Sequence, residues 1–348
     1  MKALFLRENN QLSLEETPKP VLQNDDDVIL KVTASSICGS DIHFWQGDFP
    51  LYPNFIIGHE FVGIVEQTGK NVRKFGAGDR VAAAANPYCG VCTHCKEGKV
   101  YACLTNGMFG GGKLMGDLPG AQAEYVRVPA ADSCLVPIPD HVSDKAALLV
   151  GDVLSTGYFA VTNGCPQPGD DIAIFGAGPV GLCALASAKL FSPARIFLVD
   201  VEDYRLELGR SMGATHIINP NNGRAAKAIK KITGGRGVKL AVDAVGLRTT
   251  ISECISCATE GGVVSLVGIG PARMDDFPIG KLFYKNLTLK AGLVPLNNMD
   301  RLMKLIAEGR LNVAPLITHE IKLDDILEGY RIFKDRKDNC IKVMITAD

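Results

Sequence analysis

The sequence is short of several things. It has one tryptophan, Trp45, and aromatic residues make up 7% of the chain. It has almost no net charge, because 37 Lys and Arg offset 38 Asp and Glu to leave −1. That balance supplies no basic face for nucleic acid or for an anionic membrane surface. No apolar run approaches the roughly 20 residues that a membrane helix needs. The opening stretch MKALFLRENNQLSLEE has a brief apolar run and then charges, without a secretory apolar core or cleavage site. Internal repeats and low-complexity linkers are missing. The eleven cysteines are odd in number and clustered, which argues against a secreted disulfide framework. The expectation is a reducing cytoplasm, with neither nucleic acid nor membrane as a partner.

What is present fills two domains. A chain of 348 residues is long for one domain, and 47% hydrophobic residues can build two cores. Glycine is plentiful, at 37 residues, as in a turn-rich α/β protein.

Four cysteines, Cys89, Cys92, Cys95 and Cys103, crowd into NPYCGVCTHCKEGKVYAC. Gaps of two residues let successive thiolates turn onto one point, and four thiolates suit a closed tetrahedral zinc site. An iron–sulfur cluster or plain reduced thiols are the alternatives. A closed site leaves no position for chemistry, so catalytic groups must be sought elsewhere.

The first 150 residues read as short strands and turns, including 27–33, 61–68 and 79–83, which suggests a barrel-like β domain. Near Asp170 the texture changes. Strand 172–175 leads through a glycine-rich turn into the helical run VGLCALASAKL. Strand 195–200 and a helix over 204–212 follow, then further apolar strands at THIINP, VKLAVDAV, GGVVSLVGI and NLTLKAGL. Strands alternating with helices predict a doubly wound parallel sheet. The last 55 residues return to mixed structure, with helices near 299–308 and 324–331 and a final strand IKVMIT.

Gly176, Gly178 and Gly181 form G-x-G-x-x-G between a predicted strand and a predicted helix. With so many glycines the motif arises by chance, and an ordinary βα turn is the alternative. The context argues otherwise, because Asp200 ends the next strand 19 residues after Gly181. In this fingerprint the first glycine makes the tight turn and the second lets the backbone approach a pyrophosphate. The third permits close helix–strand packing, and the acid binds a ribose 2′-hydroxyl. The helix N-terminus, which begins at Pro179 and Val180, offers N–H groups to phosphate from the residues after the proline, since proline itself has none. A carboxylate at Asp200 repels a 2′-phosphate, so NAD is expected over NADP. Arg205 is the nearest arginine and completes the candidate cofactor set.

Two further segments, ICGSDIH and GHEFVG, contain Cys38, His59 and Glu60, all competent metal ligands. Singly each has a plainer reading, as a small residue after a strand or as turn residues. Together with the cysteine lobe and GAGPVG, in this order over almost the whole chain, they resemble the zinc-dependent medium-chain alcohol dehydrogenases. The resemblance implies a GroES-like β-barrel catalytic domain over 1–152, with a structural zinc lobe near 86–106. It implies a Rossmann NAD-binding domain over 153–293 and a return to the catalytic domain over 294–348. It also implies two zinc ions per chain, one catalytic and one structural. Cys38 and His59 map onto the catalytic ligands, and Glu60 onto a neighbouring acid that ligates directly or sits behind. The third ligand varies in the family. Here LLVGDVLSTGYFAV offers Asp152, which from sequence alone reads as a helix cap and by resemblance as that ligand.

The implied reaction is hydride transfer between a small alcohol and NAD, giving a ketone or aldehyde. The implied proton relay runs from Ser40, two residues after Cys38, to His43. Without the resemblance these read as a turn residue and a surface residue. Asp41 is expected to be structural and Trp45 to pack in the core, with a pocket wall as the sharper alternative. Cys254 and Cys257, in a predicted helix ISECISCATE, read as core or semi-exposed thiols, and the isolated Cys134, Cys165, Cys183 and Cys340 as structural. His94 is expected not to ligate. Asp152 and STGYFA lean toward the secondary-alcohol or formaldehyde-dehydrogenase-like branches, whereas CGSDIHFW looks like polyol dehydrogenases. A polyol, butanediol or threonine dehydrogenase is therefore the alternative. A non-catalytic zinc- and nucleotide-binding relative should lack a ligand or relay residue, and none is missing. A zinc-free quinone reductase conflicts with both metal clusters. Relatives imply a homotetramer or homodimer, joined through the edge of the Rossmann sheet.

Overall fold

The computed structural model describes residues 1–49, 52–105, 107–270 and 273–347. The chain divides into two compact units, Met1–Ser155 with Pro295–Asp348, and Thr156–Val294.

The first unit is built on a seven-stranded sheet and a separate three-stranded one. Its central strand, Val28–Ser36, is rich in β-branched residues and buried along most of its length. Glu60–Thr68 and Tyr125–Val128 pair with it antiparallel, and so does the last strand of the chain, Lys342–Thr346. The register places Ser36 opposite both Glu60 and Met344. Because side chains alternate with period two, Ser36, Glu60, Met344 and Lys342 share one face. Cys38 follows two residues after Ser36 and caps the helix Gly39–Gln46. Pairing alone thus gathers Cys38, Glu60 and Lys342 at one end of the sheet.

Two glycines complete the approach. Gly58 has φ +103°, and a Cβ there would lie 2.5 Å from Gln122 Cγ, so only glycine lets the chain turn into His59. A Cβ on Gly151 would lie 2.0 Å from the Ala83 carbonyl. That close approach seats the turn carrying Asp152 against the strand Arg80–Ala83.

The second unit is a six-stranded, wholly parallel sheet. Numbered in chain order from Asp171–Phe175, its strands lie in the order 3-2-1-4-5-6, the doubly wound Rossmann arrangement. The expected mixed α/β fold with a parallel sheet is therefore what the chain adopts. Boundaries moved by a few residues at several elements. The predicted helix ISECISCATE is the clearest change: the helix is Arg248–Cys257, and the following Ala258–Leu266 is a strand. Ala258 enters the parallel ladder opposite Val238, so pairing overrides local helix preference. Cys254 and Cys257 are buried, as expected. Among the described residues no helix is long and apolar enough to cross a membrane.

The glycine turn gives a graded test of packing. A Cβ on Gly181 would meet the Gly176 carbonyl oxygen at 1.8 Å, whereas one on Gly178 would meet only Arg205 Nη1, at 3.8 Å. Gly181→Ala is expected to cost about 2–3 kcal/mol of stability, and Gly178→Ala much less. Urea unfolding of both variants measures this. Equal stability of the two would refute the close-packing role of Gly181.

Candidate active site

Cys95 lies in the short helix Thr93–Lys96, Cys92 caps its start, and Cys103 follows the turn Val100–Ala102. Their sulfur atoms all fall within 4.8 Å of one another. Cys103 Sγ is 3.5 Å from Cys89 Sγ, and both Cys89–Cys95 and Cys92–Cys103 are separated by 4.0 Å. Tetrahedral zinc with Zn–S near 2.3 Å requires sulfurs about 3.8 Å apart, so the set fits that ion. Backbone N–H groups already point at the sulfurs, from Cys89 to Cys103 and from Cys92 to Cys89, each at 3.3 Å. Donors at Leu104 and Cys95 pull the Cys92 thiol down to about 6. His94 stays outside the group.

The second cluster is Cys38, His59, Glu60 and Asp152, again with ligand atoms within 4.8 Å. Asp152 Oδ2 lies 3.4 Å from His59 Nε2 and 3.7 Å from Cys38 Sγ. These separations suit donors gathered around one tetrahedral ion. Asp152, which precedes the helix Val153–Thr162, therefore brings Oδ2 to the cluster. His59 is 1% exposed. Burial disfavours its charged form, but the carboxylate of Asp41 and the Cys38 thiol outweigh that and push its pKa well above the ordinary value. Desolvation lifts Asp152 as well, yet its bond to His59 prevails and brings it down to about 2.

Glu60 has further partners of its own. Lys342 Nζ donates to its Oε1 at 2.8 Å and lies 2.5 Å from Oε2, and the Ser36 hydroxyl donates to Oε2 as well. Lysine and glutamate are both essentially unexposed. Burial works against the charge of Lys342, and Glu60 more than restores it. Both oxygens of Glu60 are thus engaged by Lys342 and Ser36.

Ser40 Oγ is 3.2 Å from His59 Nε2, next to the atom that faces the other donors. His43, three residues on and so on the same helix face, pairs through Nδ1 with Asp48 Oδ2 at 2.7 Å. Its side chain is 43% exposed. Asp41 caps the helix by accepting the Cys38 N–H at 2.9 Å. Trp45 packs edge-on against Tyr330, with ring centroids 5.7 Å apart, and Lys334 lies over its ring. This is the core-packing role.

In the second unit, Gly178 caps the helix Pro179–Ala188 and brings no side chain to its N–H groups, with Pro179 and Val180 in the first turn. Those donors remain available to a phosphate. Asp200 Oδ2 accepts the Ala177 N–H at 2.6 Å, and Oδ1 accepts that of Glu202 at 2.9 Å. The acid is thus tied to the glycine turn itself. Arg205 Nε donates to the Tyr204 hydroxyl, and its guanidinium overlooks Gly178.

Sequence reasoning did not single out Lys342, Gln122 or Tyr330, all fully buried beside the cluster. A charged residue inside the apolar strand IKVMIT was the one available signal.

Removing one partner of a buried ion pair leaves the other uncompensated. Lys342→Met is expected to cost about 3–5 kcal/mol, read as a lower urea midpoint. An unchanged midpoint would show that Glu60 does not depend on this lysine.

Comparison with known proteins follows the same division. Residues 24–140 match the alcohol dehydrogenase GroES-like domain, and residues 179–308 match the zinc-binding dehydrogenase family. An alcohol dehydrogenase of Cupriavidus necator is 33% identical over 99% of this chain and 98% of its own. A sorbitol dehydrogenase of Bacillus subtilis is 32% identical, over 99% of this chain and 97% of its own. The solved structure of an alcohol dehydrogenase from Thermus sp. ATN1 superposes with a TM-score of 0.95 at 33% identity, covering 99% of both chains. With two donor clusters that fit zinc, a Rossmann unit and these relatives, the chain belongs to the zinc-dependent alcohol dehydrogenases of the medium-chain dehydrogenase superfamily.

Proposed function

We propose that this oxidoreductase transfers hydride between a small secondary alcohol and NAD, with Cys38, His59 and Asp152 holding the catalytic zinc. One observation carries the reading. Asp152 converges with Cys38 and His59 while Glu60 is held by Lys342 and Ser36. Three protein donors leave a fourth position for a substrate oxygen. Zinc held there would act as a Lewis acid on the substrate hydroxyl, and NAD would accept the hydride.

The remaining work falls to the chain. Ser40, beside His59 Nε2, would accept the substrate hydroxyl proton while passing its own proton on toward the cofactor ribose. His43, on the same helix face and half-exposed, is the outlet to solvent, with Asp48 supporting the imidazolium. The four lobe cysteines hold the structural zinc and leave it no open position. Gly176, Gly178 and Gly181, with the helix start at Pro179 and Val180, receive the NAD pyrophosphate. Asp200 disfavours a 2′-phosphate, and Arg205 flanks the turn.

The test is NADH formation across 2-butanol, ethanol, 2,3-butanediol, threonine and sorbitol, with NADP as the competing cofactor. We expect turnover of simple secondary alcohols with NAD, lost on chelation of the metal. Ser40→Ala should lower kcat about 100-fold, and His43→Ala should alter the pH–rate profile. Turnover confined to sorbitol, threonine or the diol would move the assignment to the polyol side, a reading that the sorbitol dehydrogenase relative keeps alive. Preference for NADP would overturn the role given to Asp200.

We further propose that two chains pair through the strand Thr288–Ala291. This edge strand has a neighbour on one side only among the described residues, and all four of its residues are exposed. Beside it Ile279, Phe283, Tyr284 and Leu293 are each at least 68% exposed. A bare edge next to an apolar patch is a liability unless covered. A two-fold axis would let the strand cover its own copy. Light scattering should report a dimer or tetramer, and Phe283→Glu with Leu293→Glu should reduce the mass. A monomeric wild-type protein would sink the idea.

A further inference from the structure

Behind His59 runs a line of buried side chains that none of the roles above uses. Tyr330, on the helix Ile326–Asp335, is fully buried. Its hydroxyl donates to Gln122 Oε1 at 2.7 Å. Gln122 Nε2 donates in turn to the Ser36 carbonyl and to Asp41 Oδ2, each at 3.2 Å. Asp41 Oδ1 then lies 3.3 Å from His59 Nδ1. We propose that Tyr330 and Gln122 are positioning residues for His59 that act through Asp41. This rests on the reading of His59 as a metal ligand.

The direction of each bond follows from chemistry. With the Gln122 amide reversed, Oε1 would face a carbonyl and a carboxylate, two acceptors with no proton to share. The amide therefore presents Nε2 to them, and Tyr330 must be the donor to Oε1. Burial and the nearby charge of Asp41 keep its phenol protonated. Asp41 Oδ2 thus takes two donors, the Cys38 N–H and the Gln122 amide. Oδ1 is left for the histidine. Neither Oδ1 nor Nδ1 has an aligned hydrogen-bond partner, although both are buried.

A histidine that ligates through Nε2 carries its proton on Nδ1 and needs an acceptor to hold the ring. Asp41 Oδ1 is the atom in reach. Its aim depends on the rotation of the Asp41 carboxylate, which two donors on Oδ2 fix and one alone does not. Gln122 is lodged as well as bonded, since its Cγ lies 2.5 Å from where a Cβ on Gly58 would sit. The amide therefore braces the backbone entering His59 and the carboxylate facing it.

The experiment uses the zinc-loaded enzyme and its cobalt(II) form. Zinc is counted per chain, its release to a chelator is timed, and the visible bands of the cobalt form are recorded. Tyr330→Phe removes one hydroxyl, and Gln122→Met removes the amide at similar volume. Each is expected to speed loss of the metal held by Cys38, His59 and Asp152 by about 10-fold and to shift the cobalt bands. In an Asp41→Asn background Tyr330→Phe should have no further effect, because its route to His59 is gone. A merely structural Tyr330 would lower the unfolding midpoint, leave metal release and the cobalt spectrum unchanged, and act equally in both backgrounds. That result would overturn the inference. If the unaltered chain holds a single zinc, or keeps both in His59→Ala, the ligand reading fails and the inference with it.

Discussion

A lysine ammonium and a glutamate carboxylate, both closed off from water, meet at the end of the catalytic sheet. Desolvating two charges costs several kcal/mol for each ion, and only tight, fully bonded geometry offsets it. That geometry comes from strand register. Ser36 opposes Glu60 on one side and Met344 on the other, so a slip of one residue in either ladder would turn Glu60 or Lys342 to the wrong face. The pair therefore fixes the register that carries Cys38 and His59 to the same place. It also engages the Glu60 carboxylate, while Asp152 Oδ2 lies 3.4 Å from His59 Nε2.

The two metal clusters differ in how their donors are brought together, and that difference decides what the sequence could reveal. Cys89, Cys92, Cys95 and Cys103 fall within one short stretch, so their spacing announces the site. The other set joins residues from a strand end, a glycine turn and a helix approach more than a hundred positions apart, with Cys38 and Asp152 separated by 114. Nothing local distinguishes Asp152 from a helix cap. The ligand reading of Asp152 came from family resemblance, and the seating of Gly151 on Ala83 brings its turn to the cluster.

The nucleotide unit was the more readable of the two. Its alternation of strands and helices, and the glycine spacing, are local patterns that parallel topology forces on a sequence. Asp200 behaves less simply than a residue waiting for a ribose. One of its oxygens already accepts the Ala177 N–H of the glycine turn, and the other accepts the N–H of Glu202 just after it. The acid thus shapes the turn as well as setting its charge. A substitution there would disturb two functions together.

The return of the chain to the first unit explains what local reading left out. The C-terminal segment supplies Lys342 to Glu60 across 282 positions and Tyr330 to Gln122 across 208. No spacing rule connects residues so far apart, because their meeting depends on which strands pair. One trace was visible all the same. Lys342 opens a final strand whose first four residues are all buried. A lysine almost never takes such a place without a partner, so a charged residue in the run IKVMIT called for a buried acid within its reach. Glu60, next to His59 in the chain, is the acid that answers it. The tail of the chain is therefore part of the metal site's support, and truncation or repacking of that helix and strand would be felt first at His59 and Glu60.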